Sequence, residues 1–130
     1  MKKLILFLPL FVAGCFLPYM GNGSPPETKY WLKNGKKMSF EDISHCDKQV
    51  FPYLGERYEY LYRKRQKIGF IEFYENKNES EEYENYLNKA SKLLSQCYYN
   101  LGFRFNPPLT WCLAESDNTK ICLENMKYRN

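Results

Sequence analysis

Glu79-Ser80-Glu81-Glu82-Tyr83-Glu84-Asn85-Tyr86-Leu87-Asn88-Lys89-Ala90-Ser91-Lys92-Leu93-Leu94-Ser95-Gln96-Cys97-Tyr98-Tyr99-Asn100-Leu101-Gly102-Phe103 decides the fold class of this chain. Tyr83, Tyr86, Leu87, Ala90, Leu93, Leu94, Cys97 and Leu101 recur at the three- and four-residue steps that place side chains on one helical face. Glu79, Glu81, Glu82 and Glu84 crowd the N-terminal end, where the helix dipole favours anions, and Lys89 and Lys92 come later. Gly102 supplies a C-terminal stop, and Phe103 an apolar side chain to fold back on the last turn. A long amphipathic helix with a cysteine on its apolar face predicts a mainly α domain.

Upstream, Asn76-Lys77-Asn78 reads as a loop. Residues 53–75 admit two readings. Leu54, Tyr58, Leu61, Ile68 and Ile71 suit a helix, whereas Tyr58, Tyr60 and Tyr62, then Ile68, Phe70 and the pair Ile71-Phe73, could alternate in a β-hairpin. Helix is preferred, because Arg63-Lys64-Arg65-Gln66-Lys67 lacks hairpin turn residues. Ser39-Phe40-Glu41-Asp42 starts an earlier helix with an N-cap and an acid three residues on, and Met38 and Ile43 occupy the positions of a hydrophobic staple. Phe40, Ile43, Cys46 and Val50 then share one face, and Pro52 stops or bends the helix.

Downstream, Asn106-Pro107-Pro108 is a rigid connector. Trp111-Cys112 leads into a polar loop over residues 115–119, followed by a short helix over 119–126. Cys97, Asn100 and Arg104 match Cys122, Asn125 and Arg129 at equal offsets, and Phe103 aligns with Tyr128. The same device is expected twice: a cysteine-stapled helix end with an aromatic folded behind it.

Cys46, Cys97, Cys112 and Cys122 read as two disulfides, with three possible connectivities. The expected pairing is Cys46–Cys97, joining two helical apolar faces, and Cys112–Cys122, closing a local loop. No metal site is expected. Zinc ligands are usually paired two to four residues apart, no two of these cysteines are that close, and the single histidine, His45, adjoins Cys46.

The N-terminus resembles a bacterial lipoprotein leader. Lys2 and Lys3 precede the apolar run from Leu4 to Val12, which is too short to span a bilayer, a task for ~20 residues. Val12-Ala13-Gly14-Cys15 is similar to a lipobox. The resemblance implies cleavage before Cys15, diacylglycerol on its sulfur, and usually a third acyl chain, palmitate, on its amino group. Two or more acyl chains anchor stably. Phe16 stands where inner-membrane retention signals have Asp, so the resemblance implies the outer membrane, facing the periplasm. Residues 1–14 are then a signal peptide, 15–28 a flexible tether and 29–130 a single disulfide-stapled helical domain. The leader takes Lys2 and Lys3 from the 19 basic residues, leaving 17 against 15 acidic ones, or +2. That is not the charge of a nucleic-acid binder.

Tyr30-Trp31-Leu32-Lys33-Asn34-Gly35 and Cys97-Tyr98-Tyr99-Asn100-Leu101-Gly102-Phe103 resemble two short motifs of a loose group of small bacterial lipoproteins. These carry Tyr-Trp-x-Lys-x-Gly after the tether and Cys-x-x-x-x-Gly-aromatic at a later helix end. The group has no assigned activity, so the resemblance implies no functional residue. Trp31 reads as a plug that packs the start of the domain onto its core.

No catalytic constellation appears: one histidine, no Gly-x-Ser-x-Gly and no phosphate-cradling glycine loop. No cofactor is expected. Tyr58, Tyr60, Tyr62, Arg63 and Arg65 combine aromatic density with clustered charge and form the candidate partner surface, facing a protein or an anionic envelope component. The expected function is a non-catalytic envelope lipoprotein that binds such a component. The alternatives are a phage- or plasmid-type exclusion lipoprotein, or a small accessory enzyme or inhibitor acting near peptidoglycan.

Overall fold

The computed structural model describes residues 24–130; the leader 1–14, Cys15 and the tether as far as Gly23 lie outside the described residues. Six α-helices and a small sheet make up the described chain. The helices are α1 (Phe40–Val50), α2 (Glu56–Ile68), α3 (Phe70–Glu75), α4 (Lys77–Asn100), α5 (Leu109–Ala114) and α6 (Ser116–Glu124). The strands are β1 (Trp31–Lys33), β2 (Lys36–Lys37) and β3 (Arg104–Phe105), antiparallel in the order β2-β1-β3.

The 24 residues of α4, about 36 Å at 1.5 Å per residue, form the axis of the domain. Its N-terminal half packs into one core with Val50, Leu54, Tyr58, Leu61 and Phe73. Its C-terminal half packs into a second with Trp31, Met38, Cys46, Phe105 and Trp111. Leu94 touches both. The apolar stripe of α4 is buried or half-buried throughout, and Tyr98, outside that stripe, is buried beside it.

The expected loop at residues 76–78 is instead the start of α4. The Asn76 side chain accepts from the Glu79 backbone N–H at 3.1 Å, satisfying a donor that would otherwise lack a partner. Residues 53–75 are helical, with no hairpin. Gly69, at φ 92°, ends α2 and starts α3, so Ile71 falls outside the α2 face and is 78% exposed. The α1 start carries a full capping box between Ser39 and Asp42, and those hydrogen bonds hold the Asp42 carboxyl below its ordinary range. Met38 and Ile43 both join the second core, as a staple requires. Phe40 does not share the buried face: as first residue of α1 it projects past the core and is 84% exposed.

Two expectations about the ends need correction. Residues 24–28 belong to the domain. Asn118 donates to the Ser24 hydroxyl at 3.0 Å, the Trp111 indole to the Pro25 carbonyl at 2.7 Å, and the Trp31 indole to Glu27 at 3.1 Å. Residues 115–119 are mostly the first turns of α6, and the helix α5 precedes them where no helix was read. The stapled helix end with an aromatic behind it occurs twice, at Cys97 with Phe103 and at Cys122 with Tyr128, but the two ends stop differently. At α4, Phe103 N–H reaches Tyr98 O and Gly102 N–H reaches Tyr99 O, a Schellman motif made possible by Gly102 at φ 101°. Asn125 has φ −106°, so the second end continues as a 3-10 turn that carries Tyr128 against Trp31 and Tyr99.

Candidate binding surfaces

The two bridges are Cys46–Cys97, joining α1 to α4, and Cys112–Cys122, joining α5 to α6. Among the described residues no cluster of three or more His, Cys, Asp or Glu side chains is arranged to hold a metal. His45 is exposed and shares a hydrogen bond with Gln49, one turn on.

The motifs of the lipoprotein resemblance converge on one structural unit. Asn34 and Gly35 have φ of 53° and 76°, the paired positive values of a two-residue hairpin turn between β1 and β2. Asn-Gly is the sequence signal for this hairpin, which was not among the expected elements. Trp31 is fully buried, edge-on to Tyr98 at 5.3 Å. Two residues on, Lys33 donates to the Leu101 carbonyl at 3.0 Å and lies over the Phe103 ring at 5.6 Å. A cation thus meets the C-terminal end of α4, where the helix dipole favours it. Both motifs encode the joint between hairpin and helix.

The expected partner surface divides. Tyr58 is buried, 7% exposed, and stacks on Tyr83 at 5.8 Å with an interplanar angle of 5°; burial pushes its phenol up to about 12. Arg65 is half-buried, with its guanidinium 5.4–5.9 Å from the Phe70, Tyr74 and Tyr83 rings. Its Nε has no hydrogen-bond partner among the described residues. Both therefore leave the surface, because at helical spacing positions 58, 61 and 65 face α3 and α4.

Tyr60, Tyr62 and Arg63 are exposed. Tyr60 and Arg63 lie together on the wall of an open groove of about 580 Å³, with Glu56, Glu59, Lys64 and Lys67. Tyr62 lies to one side, beside Tyr58 at 6.1 Å. The Tyr60 ring sits between the Arg57 and Lys64 cations, at 5.2 and 5.9 Å.

The charges on this face are largely paired. Arg57 donates twice to Glu82, at 2.8 Å each, lowering the Glu82 carboxyl below its ordinary range. Lys64 reaches Glu79 at 2.6 Å, and Arg63 reaches Glu59 at 3.1 Å. The acidic start of α4 thus serves as counter-charge to α2 and is more than a solvated helix end.

A second surface was not read from the sequence. Leu109, Leu113, Leu123 and Met126 are 58–70% exposed and rim an apolar groove of about 220 Å³ floored by Phe105, Pro107 and the Cys112–Cys122 bridge. Its signal was the i, i+4 pair Leu109 and Leu113 opposite Trp111, hidden while α5 went unrecognised. No known family, curated protein or solved structure matches the chain.

Proposed function

We propose that this chain is an envelope lipoprotein, anchored through lipid on Cys15 in the bacterial outer membrane, whose helical domain binds a protein partner and performs no catalysis. The observation that carries the binding site is the α2 groove, where Tyr60 is clamped between two cations and Arg63 lies beside it. Aromatic and arginine side chains held in place lose little freedom on docking, and they dominate protein interfaces. The internal pairing of Arg57, Arg63 and Lys64 supports a protein partner over an anionic head-group surface. Ion-paired cations offer little net field to a membrane, whereas a mixed, pre-ordered charge array selects a complementary protein.

The test is crosslinking in cells with the anchored protein as bait, comparing the parent with a Tyr60→Ala/Arg63→Ala variant. The expected result is a partner captured by the parent and lost by the variant, with both proteins equally folded by circular dichroism. A partner captured equally by both refutes the α2 site.

A further inference from the structure

We infer that the apolar face formed by Leu109, Leu113, Leu123 and Met126 is a membrane-contact surface that lays the α5–α6 end of the domain on the lipid bilayer. The inference rests on the lipid anchor at Cys15 proposed above.

Its first support is where the described chain begins. Ser24 is held by Asn118, and Pro25 by Trp111, so the chain enters the domain at the α5–α6 pair. Nine residue steps separate Cys15 from Ser24. Fully extended they reach about 30 Å, at 3.3–3.6 Å per residue, less than the length of α4. The α5–α6 end is thus kept close to the lipid.

The second support is chemistry. Phe16, Leu17, Tyr19 and Met20 follow the acylated cysteine, and such side chains favour the head-group boundary. At this end of the domain four large apolar side chains are 58–70% exposed, three on the two short helices pinned by a disulfide and Met126 in the 3-10 turn that follows. Lys127 and Arg129 are exposed nearby, and Arg129 lines the groove. An apolar patch edged by cations matches an interface of acyl chains below phosphate groups.

The experiment uses the full lipidated protein in vesicles of phosphatidylcholine and phosphatidylglycerol, with and without brominated acyl chains. Tryptophan is added as Leu113→Trp, as Leu123→Trp, and as Ile71→Trp on the opposite core. The native Trp31 and Trp111 are buried and are subtracted with the parent. The expected result is bromolipid quenching and a blue shift for L113W and L123W, and neither for I71W. Vesicle-bound protein with no quenching at either leucine position overturns the inference. So does equal quenching at all three, or a dimer in detergent that Leu113→Ser dissociates. The mass of the N-terminal peptide separates the premises: an acylated Cys15 with unquenched L113W overturns this inference alone, and an unmodified Cys15 overturns both readings.

Discussion

Removing the Cys46–Cys97 bridge should destabilise the domain more than removing Cys112–Cys122. The perturbation is a pair of double substitutions, Cys46→Ala/Cys97→Ala and Cys112→Ala/Cys122→Ala. The bridges span sequence separations of 51 and 10. In the chain-entropy model a crosslink restricts the unfolded state by an amount that grows with the logarithm of loop length, giving about 4 kcal/mol for the longer loop and about 3 kcal/mol for the shorter. The loop term alone therefore separates the variants by about 1.4 kcal/mol. Packing widens the gap. Cys46 is fully buried between α1 and α4, whereas Cys112 and Cys122 are half-buried, and the lost sulfur contacts add on the order of 1 kcal/mol. The assay is urea unfolding followed by far-UV circular dichroism, and in thermal melts the midpoints should differ by roughly 6 °C or more. If the α5–α6 variant loses as much stability as the α1–α4 variant, or more, the reasoning is refuted.

Other outcomes follow from single contacts. Gly102→Ala places a Cβ in a left-handed residue, 3.1 Å from Lys33 Cε, and should cost about 1 kcal/mol or more in chemical denaturation. Ser39→Ala removes half of the α1 capping box and should cost about 1 kcal/mol by the same measurement. Burial raises the Glu27 carboxyl above its ordinary value of 4.5. The fold then favours its protonated form, so ionisation at neutral pH costs stability, a cost relieved as pH falls through the raised value. Glu27→Gln keeps an acceptor for Trp31; it should raise the melting temperature at pH 7, and the gain should vanish below pH 4.5. Asn118→Ala leaves the buried Trp111 carbonyl without its side-chain donor and frees Ser24, so it should cost about 1–3 kcal/mol and speed proteolysis near residue 24.

The sequence alone determined the elements whose cause is local. The α4 period, the Ser39–Asp42 cap and the Gly102-Phe103 end depend on residues within a turn or two of one another, so spacing and residue type suffice to read them. With those helices placed, the apolar-face positions of Cys46 and Cys97 favoured the pairing that the structure contains. The Asn34-Gly35 hairpin is equally local and equally legible, because Asn-Gly is the residue pair that a two-residue hairpin turn favours. Tertiary structure decided what depends on a partner distant in sequence. Tyr58 and Arg65 share the composition of an exposed basic-aromatic run, and only the packing of α3 and α4 against α2 buries them. Within the basic run Arg63 to Lys67, Lys64 finds its counter-charge only because α4 brings Glu79 to it, as it brings Glu82 to Arg57 outside the run. The chain entry at Ser24 and the apolar face of α5 and α6 arise because Asn118, Trp111 and a disulfide fold the C-terminal helices over the start of the domain. Periodicity shows that a side chain has a face; which neighbour covers that face is set by contacts between residues far apart in the chain.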